Sequence, residues 1–155
     1  MAKTFRDVTK NAKYYLFHAN EYTYCLGGQG EPLSELGDKI KYYYGMTVEQ
    51  FCTKYGVKKT QKGIDCSGLV NLCAGKSRST VSAAYGKMCN TTPTEGTEGN
   101  VLWFEGHVGV DIGGGYFIHT PCEGHTVELG HISTYGKWLK SGNITGIDYT
   151  GASAE

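Results

Sequence analysis

The chain carries no net charge: fifteen Lys and Arg residues cancel fifteen Asp and Glu across 155 positions. That balance points to neither a nucleic acid nor an anionic membrane surface as a partner. Long apolar runs are missing too. Residues 1 to 20, MAKTFRDVTKNAKYYLFHAN, hold no hydrophobic stretch of signal-peptide length, and no later segment is apolar enough to span a bilayer. The expectation is a soluble domain, made in the cytoplasm and without membrane insertion. None of the six cysteines, Cys25, Cys52, Cys66, Cys73, Cys89 and Cys122, belongs to a CxxC pair. Without a secretory segment, reduced thiols are expected in place of a disulfide framework. There is no internal repeat and no low-complexity tract. The length suits one domain over 1–155 that buries roughly two thirds of its unfolded surface. Twenty-three glycines and twelve tyrosines predict tight turns and an aromatic-lined groove.

Apolar positions Phe5, Val8, Ala12, Tyr15, Leu16 and Ala19 recur with helical spacing, and Thr4 with Asp7 forms an approximate capping box, which predicts a first helix over 4–19. The glycines of Tyr22 to Gly30 argue against a regular element there. Two short helices are predicted over 33–44 and 47–55, the second between a Thr47/Gln50 capping box and Gly56. Lys54, Lys58, Lys59 and Lys62 read as a solvated loop. A short buried helix follows, capped by Asp65, carrying Leu69, Leu72 and Cys73 and stopping at Gly75; another is expected over 79–85. Beyond Pro93 the pattern turns to strands over 101–104, 107–112, 116–120, 126–129 and 144–149. Helices first and an antiparallel sheet second predict an α+β fold.

The chemistry concentrates in Gly63-Ile64-Asp65-Cys66-Ser67-Gly68-Leu69-Val70 and in two histidines, His107 and His119, on neighbouring predicted strands. A thiol at a helix start followed by an imidazole and a polar partner is the set a cysteine hydrolase needs. A helix N-terminus and an imidazolium both lower a thiol pKa, and Asp65 opposes that unless it turns away to cap the helix. The Gly113-Gly114-Gly115 loop decides the rest. If it has three residues, Ile112 pairs with Tyr116, Val110 with Ile118, and Val108 with Thr120. His107, Gly109, Asp111, Phe117 and His119 then share one face, with His119 across from Gly109 and diagonal to His107. A two-residue loop would put the histidines on opposite faces. In the expected roles His107 takes the Cys66 proton, His119 orients His107, and the Cys66 N–H is a candidate oxyanion donor.

These motifs resemble the NlpC family of papain-like cell-wall cysteine peptidases. Asp65 to Val70 is similar to its nucleophile motif, Gly106 to Val110 to its base strand, and Tyr116 to His119 to the strand bearing the third polar residue. Gly99-Asn100-Val101-Leu102-Trp103 resembles the preceding strand, with Asn100 where an aspartate is usual. The resemblance implies a papain-like fold with five to six antiparallel strands. It implies Tyr24 as the tyrosine beside the nucleophile, Asp65 and Ser67 as contacts to the stem peptide, and no cofactor. The substrate it implies is a peptidoglycan stem peptide, cut between the γ-carboxyl of D-glutamate and the following diamino acid. Glu31 to Lys62 is longer than the usual link, resembling phage and mobile-element members with a helical insertion at about 31–62. Leu26 stands where a tryptophan is customary. Delivery to the wall would then follow phage lysis, a secretion apparatus or excision from a larger protein, with a larger phage or secretion assembly as a partner.

Rival readings remain. A papain-like amidase or acyltransferase uses the same cysteine and histidine. His107, His119, Cys122, His125 and His131 could serve as zinc ligands, although that leaves the Cys66 motif unexplained. A wall-binding module without catalysis is the non-enzyme alternative.

Overall fold

A computed structural model describes residues 2–153. The first helix, α1 (Phe5–Phe17), starts where the capping box closes: Asp7 N–H donates to Thr4 Oγ1 at 3.3 Å and Thr4 N–H to Asp7 Oδ2 at 3.0 Å. It buries Phe5, Val8, Thr9 and Ala12 against the central helix α4 (Cys66–Ala74) and the main sheet. Leu69, Val70 and Cys73 of α4 are fully buried. At ~1.5–3 kcal/mol for each large apolar side chain removed from water, this face anchors the helix that carries Cys66.

Between α1 and α4 the chain departs from expectation. Strands β1 (Tyr22–Tyr24) and β2 (Gln29–Pro32) flank β3 (Lys62–Ile64) in a three-stranded sheet of order β1-β3-β2. The glycine-rich segment thus does form regular structure at both of its ends, because β3 supplies the pairing that local propensity lacks. The predicted helix over 33–44 divides into a 3-10 turn (Leu33–Glu35) and α2 (Gly37–Tyr44), followed by α3 (Val48–Tyr55) with its Thr47/Gln50 capping box complete. These helices enclose a small core of their own, made of Leu33, Leu36, Ile40, Phe51 and Cys25.

A short α5 (Ser82–Gly86) leads into a five-stranded antiparallel sheet built from β4 (Val101–Phe104), β5 (His107–Gly113), β6 (Tyr116–His119), β7 (Glu128–His131) and β8 (Lys140–Gly142), in the order β7-β6-β5-β4-β8. A short helix, α6 (Ile132–Tyr135), joins β7 to the segment before β8. The architecture is α+β, as the element order suggested. Two strands differ from expectation. The fourth is Glu128–His131, displaced from 126–129. The fifth is Lys140–Gly142, and residues 144–149 are not a strand. The apolar Ile144 and Ile147 instead pack on the main core, while Asp148 bridges to Thr4, Phe5 N–H donating to Asp148 O at 3.0 Å. No helix among the described residues is long and apolar enough to cross a membrane.

The β5–β6 register is corrected in its turn and kept in its outcome. Val110 opposes Ile118 as expected, but Tyr116 opposes Gly113 and Ile112 is bulged out. The turn is therefore Gly114-Gly115, with φ of 66° and 84°, the backbone that tight hairpins require. A two-residue turn alone would send the histidines to opposite faces. The extra residue in the bulge restores the parity.

Candidate active site

Cys66 is the first residue of α4, and Asp65 is its N-cap. Asp65 Oδ1 accepts from the N–H of Gly68 at 2.7 Å and from the Ser67 hydroxyl at 3.3 Å, and Oδ2 accepts from the N–H of Gly27 at 2.9 Å. Its carboxylate thus turns away from the sulfur to serve the helix and the Gly27 turn. Burial raises its pKa, against the N–H groups of Gly27 and Gly68 that favour the ionised form. The backbone N–H groups of Val108, Ser67 and Cys66 itself favour a negative charge on the sulfur. Since Val108 follows His107 directly in β5, the thiol rests on the strand that carries the first imidazole.

That imidazole is joined to the second. His107 Nε2 lies 2.8 Å from His119 Nδ1, and both residues are buried. One tautomer serves base chemistry: if Nε2–H of His107 donates to His119, Nδ1 of His107 keeps a free lone pair. Trp138 roofs the pair, its indole stacked on His107 at 5.3 Å and 9° and edge-on to His119 at 6.0 Å. Phe104, Phe117 and Tyr135 complete the aromatic enclosure.

Sequence reasoning missed Trp138. The available signal was Gly109, the position without a side chain between the two histidines. A methyl there would lie 2.9 Å from Trp138 Cζ2 and 3.2 Å from His119 Cβ, so only glycine admits the indole this close.

Tyr24, at the end of β1, is buried near the thiol; burial raises its pKa, and the negative charge that Cys66, Asp65 and Glu123 can carry adds to the effect. Its hydroxyl is therefore a neutral donor at ordinary pH. Ser67 is buried beside Asp65. Tyr24, Asp65, Cys66 and Ser67 gather around the start of α4, and His107 and His119 are joined to each other on β5 and β6. The metal-ligand set does not gather. His125 pairs with Glu128 at 2.8 Å and His131 with Ser133 at 2.8 Å, and no cluster of three metal-ligating side chains occurs among the described residues.

The electrostatics depart from a preformed ion pair. Burial pushes the Cys66 thiol up to about 11, with Asp65 adding to the rise, and outweighs the three N–H groups. Burial lowers His107 to about 4, helped by Lys137, and lowers His119 to about 3. At neutral pH Cys66 therefore rests as a thiol and His107 as a neutral imidazole. A raised pKa means that the proton is held to higher pH. The thiolate ultraviolet absorbance that distinguishes the protein from its Cys66→Ala variant is expected to grow only on the alkaline side, toward pH 11. A difference already complete at pH 5 would contradict the neutral pair.

A thiol at a helix start packed on β5, and a joined pair of imidazoles borne by β5 and β6, in an α+β fold, define a scaffold of the papain-like class. The sequence profile of the NlpC/P60 family matches residues 41–141, more than half of the chain, and the chain belongs to that family. Its structure is similar to the crystal structure of the NlpC/p60 domain of the peptidoglycan hydrolase SagA, with a TM-score of 0.57 at 18% identity, covering 91% of this chain and 99% of that one. A search of curated proteins found no match.

Proposed function

We propose that this protein is a peptidoglycan hydrolase, a cysteine endopeptidase that cuts stem peptides at the γ-D-glutamyl–diamino acid bond through an acyl-enzyme. The observation that carries this reading is the 2.8 Å link between His107 and His119 on the strand pair against which Cys66 rests. Family membership and the likeness to the domain of a peptidoglycan hydrolase support the substrate class.

In this mechanism His107 Nδ1 takes the proton of Cys66 as Sγ attacks the scissile carbonyl carbon, giving a tetrahedral oxyanion. The Cys66 N–H and the Tyr24 hydroxyl donate to that oxygen in this scheme. Collapse breaks the C–N bond, and His107 returns the proton to the departing amine. Water, deprotonated by the same nitrogen, then attacks the thioester; the acid leaves and the thiol regains its proton. His119 holds His107 in the required tautomer throughout, while Asp65 and Ser67 line the peptide side of the cleft. On this reading residues 31–62 are an insertion beside the cleft, and the protein reaches the wall by phage lysis or a secretion route.

Mass spectrometry of muropeptides after incubation with purified sacculi tests the proposal. New termini at γ-D-glutamate and at the amine of the diamino acid are expected. Unaltered muropeptides would overturn it, and cleavage at another bond would reassign the specificity.

A further inference from the structure

The outer face of α1 carries a row of cations. Arg6, Lys10 and Lys13, with Phe17 beyond them, recur at steps of four, three and four residues, and all four are exposed. That spacing stacks them on a single stripe of the helix. None of the three cations enters either ion pair found among the described residues, Arg78 with Glu31 and His125 with Glu128. Asp7, the only carboxylate of the helix, is occupied by the N–H groups of Lys3 and Thr4. The guanidinium of Arg6 sits 4.4 Å above the Phe5 ring, which holds it on the stripe.

The stripe lines an open groove of about 560 Å³ to which Thr9, Phe17 and Glu98 also contribute. Thr9, the one buried residue of the lining, keeps a hydroxyl with no hydrogen-bond partner. Glu98 comes from outside the helix and stands beside Gly113, where a methyl would lie 3.7 Å from Glu98 Cβ. Gly113 ends β5 and His107 begins it, so a rise of ~3.4 Å per residue puts Glu98 about 20 Å from the imidazole pair. The groove is separate from the candidate active site.

We propose that this groove binds a linear polymer of phosphodiester-linked polyols, laid along the cationic stripe of α1. Successive cations advance by about 4.5–6 Å along the helix axis, the scale on which phosphates recur when a short polyol separates them. The planar fork of Arg6 suits a phosphate, and the two lysines add point charges. A chain with no net charge offers polyanions no general attraction, so the attraction is local to this stripe. Glu98 repels the same polymer and confines it to the helix wall. A nucleic acid fits less well, because its bases need successive open rings to stack on, and Tyr14 already stacks on His18 at 4.1 Å. Only Phe17, 79% exposed, is left for that role in the groove. A flat anionic bilayer would bring Glu98 against its headgroups. Binding here is independent of the hydrolase reading and needs no turnover.

Calorimetric titration of the full chain with synthetic poly(glycerol phosphate), over a series of salt concentrations, tests this. The logarithm of the binding constant should fall against that of the salt concentration with a slope of about −2, the value for three phosphate contacts on a single-stranded polyanion. Arg6→Gln, Lys10→Gln and Lys13→Gln should each weaken binding about fivefold at about 0.1 M salt and flatten the slope by about 0.7. Glu98→Gln should tighten binding. The three cations are exposed, so thermal unfolding of their variants should match that of the unsubstituted protein. No binding of the polymer, or binding that the three substitutions leave unchanged, would overturn the assignment. Equal or tighter binding of poly(U) RNA or of phosphatidylglycerol vesicles would overturn it in favour of a nucleic acid or a membrane surface.

Discussion

Cys66→Ala is expected to abolish hydrolysis of purified sacculi, with kcat falling by roughly 10⁴-fold or more, the scale seen when a covalent nucleophile is removed. The fold should survive. Cys66 contributes one small side chain at the start of α4, whereas the helix is held by the Asp65 cap and by fully buried Leu69, Val70 and Cys73. Loss of the sulfur should cost about 1 kcal/mol, within the usual range for a single substitution. Sacculus turnover and thermal unfolding, measured on the same preparation, check both halves. Retained turnover in a folded Cys66→Ala protein would remove the acyl-enzyme from the mechanism.

His107→Ala should cost nearly as much, about 10²–10⁴-fold in kcat, because general-base transfer has no substitute when the thiol holds its proton to about 11. His119→Ala should be milder. In the proposed mechanism its ring nitrogen sets the tautomer of His107 and touches no reacting atom, and Trp138 still stacks on His107 at 5.3 Å to restrain the ring. Comparing kcat for the two variants checks the assignment of roles. Equal losses would mean that the two imidazoles share the proton chemistry, contrary to the base-and-orienter scheme.

Much of this architecture was legible from local pattern. The capping boxes at Thr4 and Thr47 and the Asp65 cap stand where side-chain chemistry places them, since a cap depends on residues three apart along one chain. The strands lettered by alternation, β4 and β5, start at the expected residues. Lys140–Gly142 carried no such signal. It is a strand because Val101–Trp103 on one side and Thr91 on the other offer hydrogen bonds to its backbone. Residues 144–149 carried the signal, but only Asp148 finds a bridge, to Thr4, and the apolar Ile144 and Ile147 are used in packing instead.

The site divides along the same line. Residue types and chain order alone specify a thiol at a helix start and two imidazoles on adjacent strands, because those features are written in short stretches of chain, whereas Tyr24 stood out only through the family resemblance. Which face the imidazoles share was settled only in three dimensions, by the Ile112 bulge that offsets a two-residue turn. The Trp138 roof, and the desolvation that keeps thiol and imidazole neutral, likewise exist only once distant segments pack together. Burial is a property of the assembled core, and no local run of residues encodes how much water it leaves behind.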